Sequence, residues 1–270
     1  MVDKSFAILR ICVDNSTYMQ EMHDQFEESL KPIFRYISVP DKISFEDDIL
    51  LILRTIIKKR KQVTPIMWEI FDLFPNTLQK SKGALGDHLD AINSYMQYGK
   101  EVFVQRESSV RVFAQIVEQS MMTMKILQDC EGAIACQLLF QTLAGTQALN
   151  PFMEGLLDLT VRRMKQDPLP LVLKKQLLGV IMSAMYYNAQ ASLLYLENHT
   201  MTGQVLEDLV GLMDKFSGEY EKRFFVIGIC KMLNSPTLPQ ALQPHLLSLL
   251  DSLVGQITSL HDLVTRKIAA

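Results

Sequence analysis

Apolar residues recur at helical spacing along nearly the whole chain, and the alternating pattern of β-strands is almost absent. Residues 44–60 show the helical pattern most clearly. Three acidic residues at 46–48 suit the amino end of a helix dipole, and Ser44 can cap that end. The apolar residues that follow fall on one helix face: Ile49, Ile52, Leu53, Ile56 and Ile57. This segment is therefore predicted to form an amphipathic helix.

Four consecutive cations, Lys58 to Lys61, come shortly before a second apolar segment that contains the only tryptophan, Trp68. Cations suit the carbonyl end of a helix. Thr64 and Pro65 then supply a capping residue followed by proline at the first helical position. We interpret the run as the joint of a two-helix hairpin, and a short nuclear-targeting or nucleic-acid patch remains the alternative.

The same two-helix unit recurs along the chain. The first helices of successive hairpins are predicted to begin near Ser44, Gly86, Asp129, Pro170 and Gly218, with spacings of 42, 43, 41 and 48 residues. HEAT repeats have a similar period, and stacking buries the apolar face that one hairpin leaves open. We therefore predict an all-α fold, an α-α superhelix of about six antiparallel helix pairs. Residues 1–270 would form a single HEAT-repeat solenoid domain.

Composition allows a sizeable core, because 48% of the 270 residues are hydrophobic and mean hydropathy is +0.10. The net charge of −3 is unlike that of a strongly basic nucleic-acid-binding protein. No apolar stretch approaches the roughly 18 residues needed to span a bilayer, and the start lacks the features of a signal peptide. We expect a soluble intracellular protein without membrane or direct nucleic-acid partners.

Motifs that indicate catalysis or metal binding are not found. No two histidines lie four residues apart, and no glycine-rich phosphate loop or nucleophile elbow occurs. Carboxylate pairs such as Glu27 and Glu28 are predicted to lie on exposed helix faces. The four cysteines are expected to be buried free thiols in a reducing compartment: Cys12, Cys130, Cys136 and Cys230. We therefore expect no enzyme activity and no cofactor.

The aromatic sequence Tyr186-Tyr187-Asn188 allows two interpretations. Tyr187 and Asn188 are predicted to form the turn out of a packed helix, and a functional aromatic pair is the alternative. Two short helices would follow, in the place of one second helix.

Three separate blocks of sequence add a family resemblance. They are Val63 to Trp68, then Ala184 to Asn188 with Leu193 to Glu197, and finally Lys222 to Cys230. In order and spacing these blocks resemble the carboxy-terminal HEAT repeats of the importin-beta superfamily, and within it the importin-seven and importin-eight branch. The likeness runs from near residue 5 to near residue 255.

The resemblance implies a nuclear transport receptor that shuttles between cytoplasm and nucleus through the nuclear pore. Such receptors bind cargo, Ran-GTP and the Phe-Gly repeats of nucleoporins, and the cargo of this branch is typically basic, such as ribosomal proteins or histones. Full-length members are several times longer. We therefore expect a carboxy-terminal fragment, with Ran-GTP bound by the full-length protein.

Acidic residues on the predicted second helices of the hairpins would line a concave wall and attract basic cargo: Glu69, Asp72, Glu118, Glu154 and Asp158. The alternative for each residue is an ordinary solvated charge. Two other functions stay open, namely a static HEAT-repeat scaffold in a stable complex and an export receptor of the same superfamily.

Overall fold

The computed structural model describes residues 2–15, 20–39, 45–80 and 85–269. Within these ranges all regular structure is helical and no strand occurs, which confirms the predicted all-α class. Two 3-10 helices are formed by Met213–Lys215 and Gln240–His245. The α-helices, in chain order, are α1 (Val2–Asn15), α2 (Gln20–Ile37), α3 (Glu46–Arg60), α4 (Pro65–Phe71), α5 (Phe74–Lys80), α6 (Gly86–Gln105), α7 (Glu107–Met121), α8 (Ile126–Leu143), α9 (Asn150–Met164), α10 (Leu171–Asn198), α11 (Thr202–Gly211), α12 (Glu219–Leu233) and α13 (Leu246–Ala269).

The chain divides into two compact units, Met1–Ala135 and Cys136–Ala270. Each unit is built from helix pairs. We call the first member of a pair its first-position helix and the next its second-position helix. The prediction that residues 1–270 form one solenoid domain stays a prediction.

Helices of the same position pack on one another within each unit. In the first unit α1 packs on α3 and α3 on α6. Among the second-position helices, α2 packs on α4, and both α4 and α5 pack on α7. In the second unit the first-position helices α10 and α12 pack on one another, and the second-position helices α11 and α13 also make contact. This arrangement of stacked helix pairs confirms the predicted repeat.

The long-range side-chain hydrogen bonds reflect the same period. Most of them join residues 33 to 48 positions apart, as from Arg60 to Glu27 and from Lys267 to Glu219. Tyr220 is an exception, because its hydroxyl reaches Gln141, which lies 79 positions away. Each helix pair is therefore bonded mainly to its immediate neighbours.

The predicted hairpin joint is confirmed. Helix α3 ends at Arg60, and Lys61 takes a left-handed conformation with φ 51°. The Thr64 hydroxyl accepts a hydrogen bond from the Met67 amide at 3.3 Å, and Pro65 occupies the first turn of α4. The second-position helix then breaks after Phe71 and resumes as α5. The predicted cap Ser44 lies outside the described residues.

A cluster of aromatic side chains forms the centre of the first unit. We call it the aromatic core, and its members are Trp68, Phe71, Phe74, Tyr95, Phe103 and Phe113. Gly99 of α6 faces this cluster, and a Cβ atom there would lie 2.8 Å from Cζ2 of Trp68. The close approach requires glycine, because real Cβ atoms essentially never show so short a contact.

Helix α10 changes direction at Asn188, whose φ and ψ are −155° and 92°. The Asn188 side chain accepts a hydrogen bond from the Ala191 amide at 3.1 Å and so caps the part that follows. We call residues 189–198 the distal segment of α10. With α11 it forms the two short helices that were predicted, and the predicted turn at Tyr187 and Asn188 is confirmed.

Two sequence predictions about buried residues are wrong in part. Cys130 and Cys136 are buried, but Cys12 and Cys230 are exposed because they lie on the outward sides of α1 and α12. Glu27 was expected on an exposed face but is only 1% exposed. A pattern in one helix could not reveal that a neighbouring pair covers this carboxylate.

Candidate functional site

The five acidic residues predicted to face cargo all lie on second-position helices or at their ends. Glu69 is exposed on α4, and Asp72 follows the end of that helix. Glu118 is exposed on α7. Glu154 is exposed and Asp158 is half-buried, and both lie one turn apart on α9. Their locations agree with the sequence prediction, whereas a role in cargo binding stays a prediction.

In the first unit, cations from adjacent helix pairs match two of these acids. Lys31 Nζ lies 2.5 Å from Glu69 Oε2, and its hydrogen bond lowers the pKa of Glu69 below the ordinary value. Arg106 Nη2 lies 2.9 Å from Asp72 Oδ2. The Arg106 guanidinium also sits 5.7 Å from the centre of the Trp68 ring, within cation–π range. The charges of Glu69 and Asp72 are therefore largely balanced within the unit.

The cationic run at 58–61 contains a buried ion pair. Arg60 Nη1 lies 2.6 Å from Glu27 Oε1 and 2.7 Å from Asp24 Oδ1, and the Thr64 hydroxyl donates to Glu27 Oε2 at 2.7 Å. Burial raises the pKa of Glu27, while the bonds from Thr64 and Arg60 oppose that rise. Arg60 thus fastens one helix pair to the previous one, which favours the structural interpretation of the run.

In the second unit, a groove of about 240 Å³ opens beside α9 and the distal segment of α10. Asn150, Met153, Glu154 and Leu157 line it from α9. Their spacing of i, i+3, i+4 and i+7 places all four on one helix face. Two of the acidic residues predicted from the sequence, Glu154 and its neighbour Asp158, thus lie in the groove or next to it.

The distal segment of α10 supplies the opposite side of the groove through Ala191, Leu194, Tyr195 and Asn198, which show the same spacing. Leu194 is 58% exposed although its neighbours Leu193 and Leu196 are buried. The run Leu193 to Leu196 has four consecutive bulky residues. One face of a helix cannot bury four in succession, so this sequence signal could have identified an exposed apolar side chain.

Tyr195 makes two side-chain contacts at the groove. Its hydroxyl lies 3.5 Å from Asp158 Oδ1, and its ring stacks on His199 with centroids 4.1 Å apart. Burial, followed by the nearby charges of Asp158 and Glu154, raises the pKa of Tyr195 to about 12. The hydroxyl thus remains protonated and able to donate. Sequence reasoning did not single out Tyr195 or His199 as site residues.

Glu154 is the accessible carboxylate of this groove. Asp158 pairs with Arg162 at 2.8 Å on the same helix, whereas Glu154 forms no ion pair with any residue that the structure describes. No lysine or arginine from the described ranges lines the groove. The site thus combines an apolar floor with one unmatched negative charge, which suits a partner with an apolar and a cationic group.

Other kinds of site find no support in the described part of the chain. Its histidines, cysteines and carboxylates form no group of three or more that could hold a metal ion. None of its helices combines the length and the apolarity needed to cross a membrane.

Comparison with known proteins gives one curated relative. The chain is similar to a probable importin-7 homologue from Dictyostelium discoideum, with 18% identity over 219 residues. The aligned part covers 79% of this chain but only 20% of the relative's length. No family model and no solved structure matches the chain.

Proposed function

We propose that this chain is a HEAT-repeat segment of a nuclear transport receptor in the importin-beta superfamily, most similar to the importin-seven and importin-eight branch. The similarity to a probable importin-7 homologue carries the proposal, because it extends over 79% of the chain. The recurrence of bonds between neighbouring helix pairs at 33 to 48 residues supports it, since HEAT proteins have that period.

The part of such a receptor played by this chain is the binding of basic cargo, such as ribosomal proteins or histones. Accessible carboxylates on second-position helices support this role, since they would attract cationic partners and speed association. Glu118 and Glu154 are the most available of the five predicted acids, because Glu69, Asp72 and Asp158 already have cationic neighbours. The proposed role is non-catalytic.

Two further partners belong to the proposal for the full-length receptor. Phe-Gly nucleoporins would guide it through the nuclear pore, and Ran-GTP would control its cargo. The protein would accordingly shuttle between cytoplasm and nucleus. Because the aligned part spans 20% of the relative, these partners are proposed for the whole receptor, with Ran-GTP bound outside this chain.

A binding assay with purified ribosomal proteins and histones tests the cargo role. We expect this chain to bind them at low salt and to release them as ionic strength rises past about 0.15 M, where exposed charges are screened. The double variant Glu118→Gln/Glu154→Gln should bind several-fold more weakly. The matched control Glu101→Gln/Asp47→Asn removes two exposed acids from the first-position helices α6 and α3 and should bind normally.

Two results would contradict the cargo role. One is the absence of any salt-sensitive binding of basic proteins. The other is equal loss of binding in the test and control variants, because that would indicate attraction by overall charge alone.

A static scaffold is the second candidate function, and one surface favours it. Helix α13 presents an apolar stripe of Leu247, Leu250, Val254 and Ile257, which are between 39% and 78% exposed. A permanent partner would cover such a face. In the full-length protein, a scaffold would hold its partner regardless of Ran-GTP. An import receptor would release cargo on binding Ran-GTP, and an export receptor would bind cargo more tightly.

A further inference from the structure

The groove beside α9 combines a cavity with an exposed apolar side chain. A single exposed leucine on a surface needs no explanation. Leu194, however, lies against a cavity of about 240 Å³ whose other walls include Met153 and Leu157. This volume is below the roughly 300–1,000 Å³ of pockets that enclose a drug-sized molecule. It suits one or two side chains of a larger partner.

The charge at the rim restricts the partner. Glu154 is exposed and unmatched by any described cation, so a phosphate or another acid would be repelled there. The Tyr195 hydroxyl already donates to Asp158, and the Tyr195 ring already stacks on His199. The remaining complementary group for the rim is a lysine or arginine that reaches Glu154.

The shape of the groove indicates a peptide as the partner. Lining residues on α9 and on the distal segment follow the i, i+3, i+4, i+7 spacing, so two helix faces converge on one channel. Channels between two helices accept peptide segments, which fix themselves by side chains inserted at regular intervals. The amides of Asn150 and Asn198 at the edges can bond the backbone of such a segment.

We propose that this groove binds a cargo segment that inserts an aliphatic side chain between Leu194 and the pair Met153 and Leu157, and places a lysine or arginine on Glu154. The inference takes its class of partner from the proposed transport function. It goes further in assigning the recognition to one groove and in requiring an aliphatic anchor beside the cation. Basic charge alone is therefore insufficient for binding here.

Short synthetic peptides are the probes for this proposal. The first has a leucine and a lysine one helical turn apart in a Gly/Ser background. In the others, serine replaces the leucine, glutamate replaces the lysine, or phenylalanine replaces the leucine. Binding to the whole chain is followed through the methyl NMR signal of Met153, which lies in the groove and is 5% exposed.

The leucine–lysine peptide should shift the Met153 signal saturably. The serine peptide should bind about tenfold more weakly, because burying a leucine side chain is worth at least about 1.5 kcal/mol. The glutamate peptide should bind at least about threefold more weakly than the leucine–lysine peptide, as expected for the loss of a solvent-exposed ion pair. Phenylalanine binding as tightly as leucine would contradict the aliphatic anchor.

Variants of the protein identify the surface. Leu194→Gln should weaken the leucine–lysine peptide about tenfold, and Glu154→Gln should weaken it about threefold and remove its salt dependence. The matched controls are Leu247→Gln on α13 and Glu207→Gln on α11, which replace the same residue types elsewhere in the second unit. Both controls should bind as the unchanged chain does.

The proposal is overturned if the Met153 signal does not move, if the control variants weaken binding as much as the groove variants, or if the glutamate peptide binds equally well. These results are separable from a failure of the proposed function. Basic proteins that bind normally to Leu194→Gln would refute the groove and leave the cargo role in place. Peptide binding in the groove without any binding of basic proteins would refute the cargo role and leave the groove as a peptide-binding site.

Discussion

Acidic residues on second-position helices have different surroundings in the two units. In the first unit, Glu69 and Asp72 each contact a cation from an adjacent helix pair. In the second unit, Glu154 contacts no described cation and lines an open groove. Glu69 and Asp72 thus fasten neighbouring repeats, whereas Glu154 remains available to a partner. Exposure of an acid in a sequence pattern does not distinguish these two uses.

The packing beneath these surfaces differs as well. The aromatic core fills the first unit, and its central ring, Phe71, is fully buried. In the second unit the groove leaves Leu194 more than half exposed. The aromatic side chains of the first unit thus stabilise its fold, whereas the groove of the second unit keeps part of its apolar surface exposed.

The largest effect should come from Phe71→Ala, which we expect to lower the free energy of unfolding by about 3–5 kcal/mol because it leaves a cavity within the aromatic core. Leu194→Ala should lower it by less than about 0.5 kcal/mol, since that side chain contributes little buried surface. Urea denaturation followed by circular dichroism measures both. Similar losses in the two variants would remove the contrast between the units.

A slightly smaller loss, about 3 kcal/mol, is expected for Arg60→Met, because the change leaves the Glu27 carboxylate buried without its cation. Burial already raises the pKa of Glu27, so the loss should grow as the pH rises and the isolated carboxylate must ionise. Adding Glu27→Gln should recover part of the stability. A melt unchanged by Arg60→Met would show that the pair does not fasten α3 to α2.

Acid should destabilise the first unit through His88. Its ring lies 2.9 Å from the Thr77 hydroxyl, and burial lowers its pKa from the ordinary 6.5 to about 4. The neutral ring is favoured only in the folded state, so stability is lost as pH falls from 6.5 towards 4, by about 3 kcal/mol in total. Hydrogen exchange of α6 at successive pH values measures the loss.

The matched control is His88→Gln, which should remove this part of the pH dependence. The comparison also separates His88 from Glu27, whose raised pKa acts in the opposite sense. In the second unit neither His199 nor His245 is buried, so its amides should show a smaller change. Equal acid sensitivity in both units would contradict the assignment to His88.

The smallest effect is expected for Asp72→Asn. It removes the ion pair with Arg106, in which both side chains are about one-third exposed, and should cost less than about 1 kcal/mol. Binding of basic proteins should not change, because Arg106 already balances this carboxylate. Titration of ribosomal proteins against Asp72→Asn and Glu154→Gln compares the two units directly. Equal weakening would show that paired acids also attract cargo.

Much of the fold followed from local pattern. The spacing of Ile49 to Ile57 on one face, the Thr64–Pro65 start of α4 and the break at Asn188 all depend on residues close together in the chain. Helix starts near Gly86, Pro170 and Gly218 were predictable for the same reason. These features depend on capping and periodicity, which act within one or two turns.

The site was less predictable because it depends on contacts between repeats. Glu154 and Asp158 could be placed on α9, but nothing in their own helix shows that Tyr195 lies against Asp158. Similarly, the pattern of its own helix predicts Glu27 to be a surface residue, and only the fold shows that Arg60 and Thr64 of the next pair bond to it. Periodicity predicts that neighbouring repeats stack, but it does not predict which side chain of the next repeat contacts a given residue.

The short reach of the hydrogen bonds has a mechanical consequence. Bonds that span 33 to 48 residues couple a helix pair to its immediate neighbours, and few bonds reach a more distant pair. The stability of the array is then approximately a sum of repeat and nearest-neighbour contributions. Folding can therefore begin at any pair and spread outwards. Pulled from its ends, such a molecule should yield in successive small steps and recoil as the load is released, without losing every repeat at once.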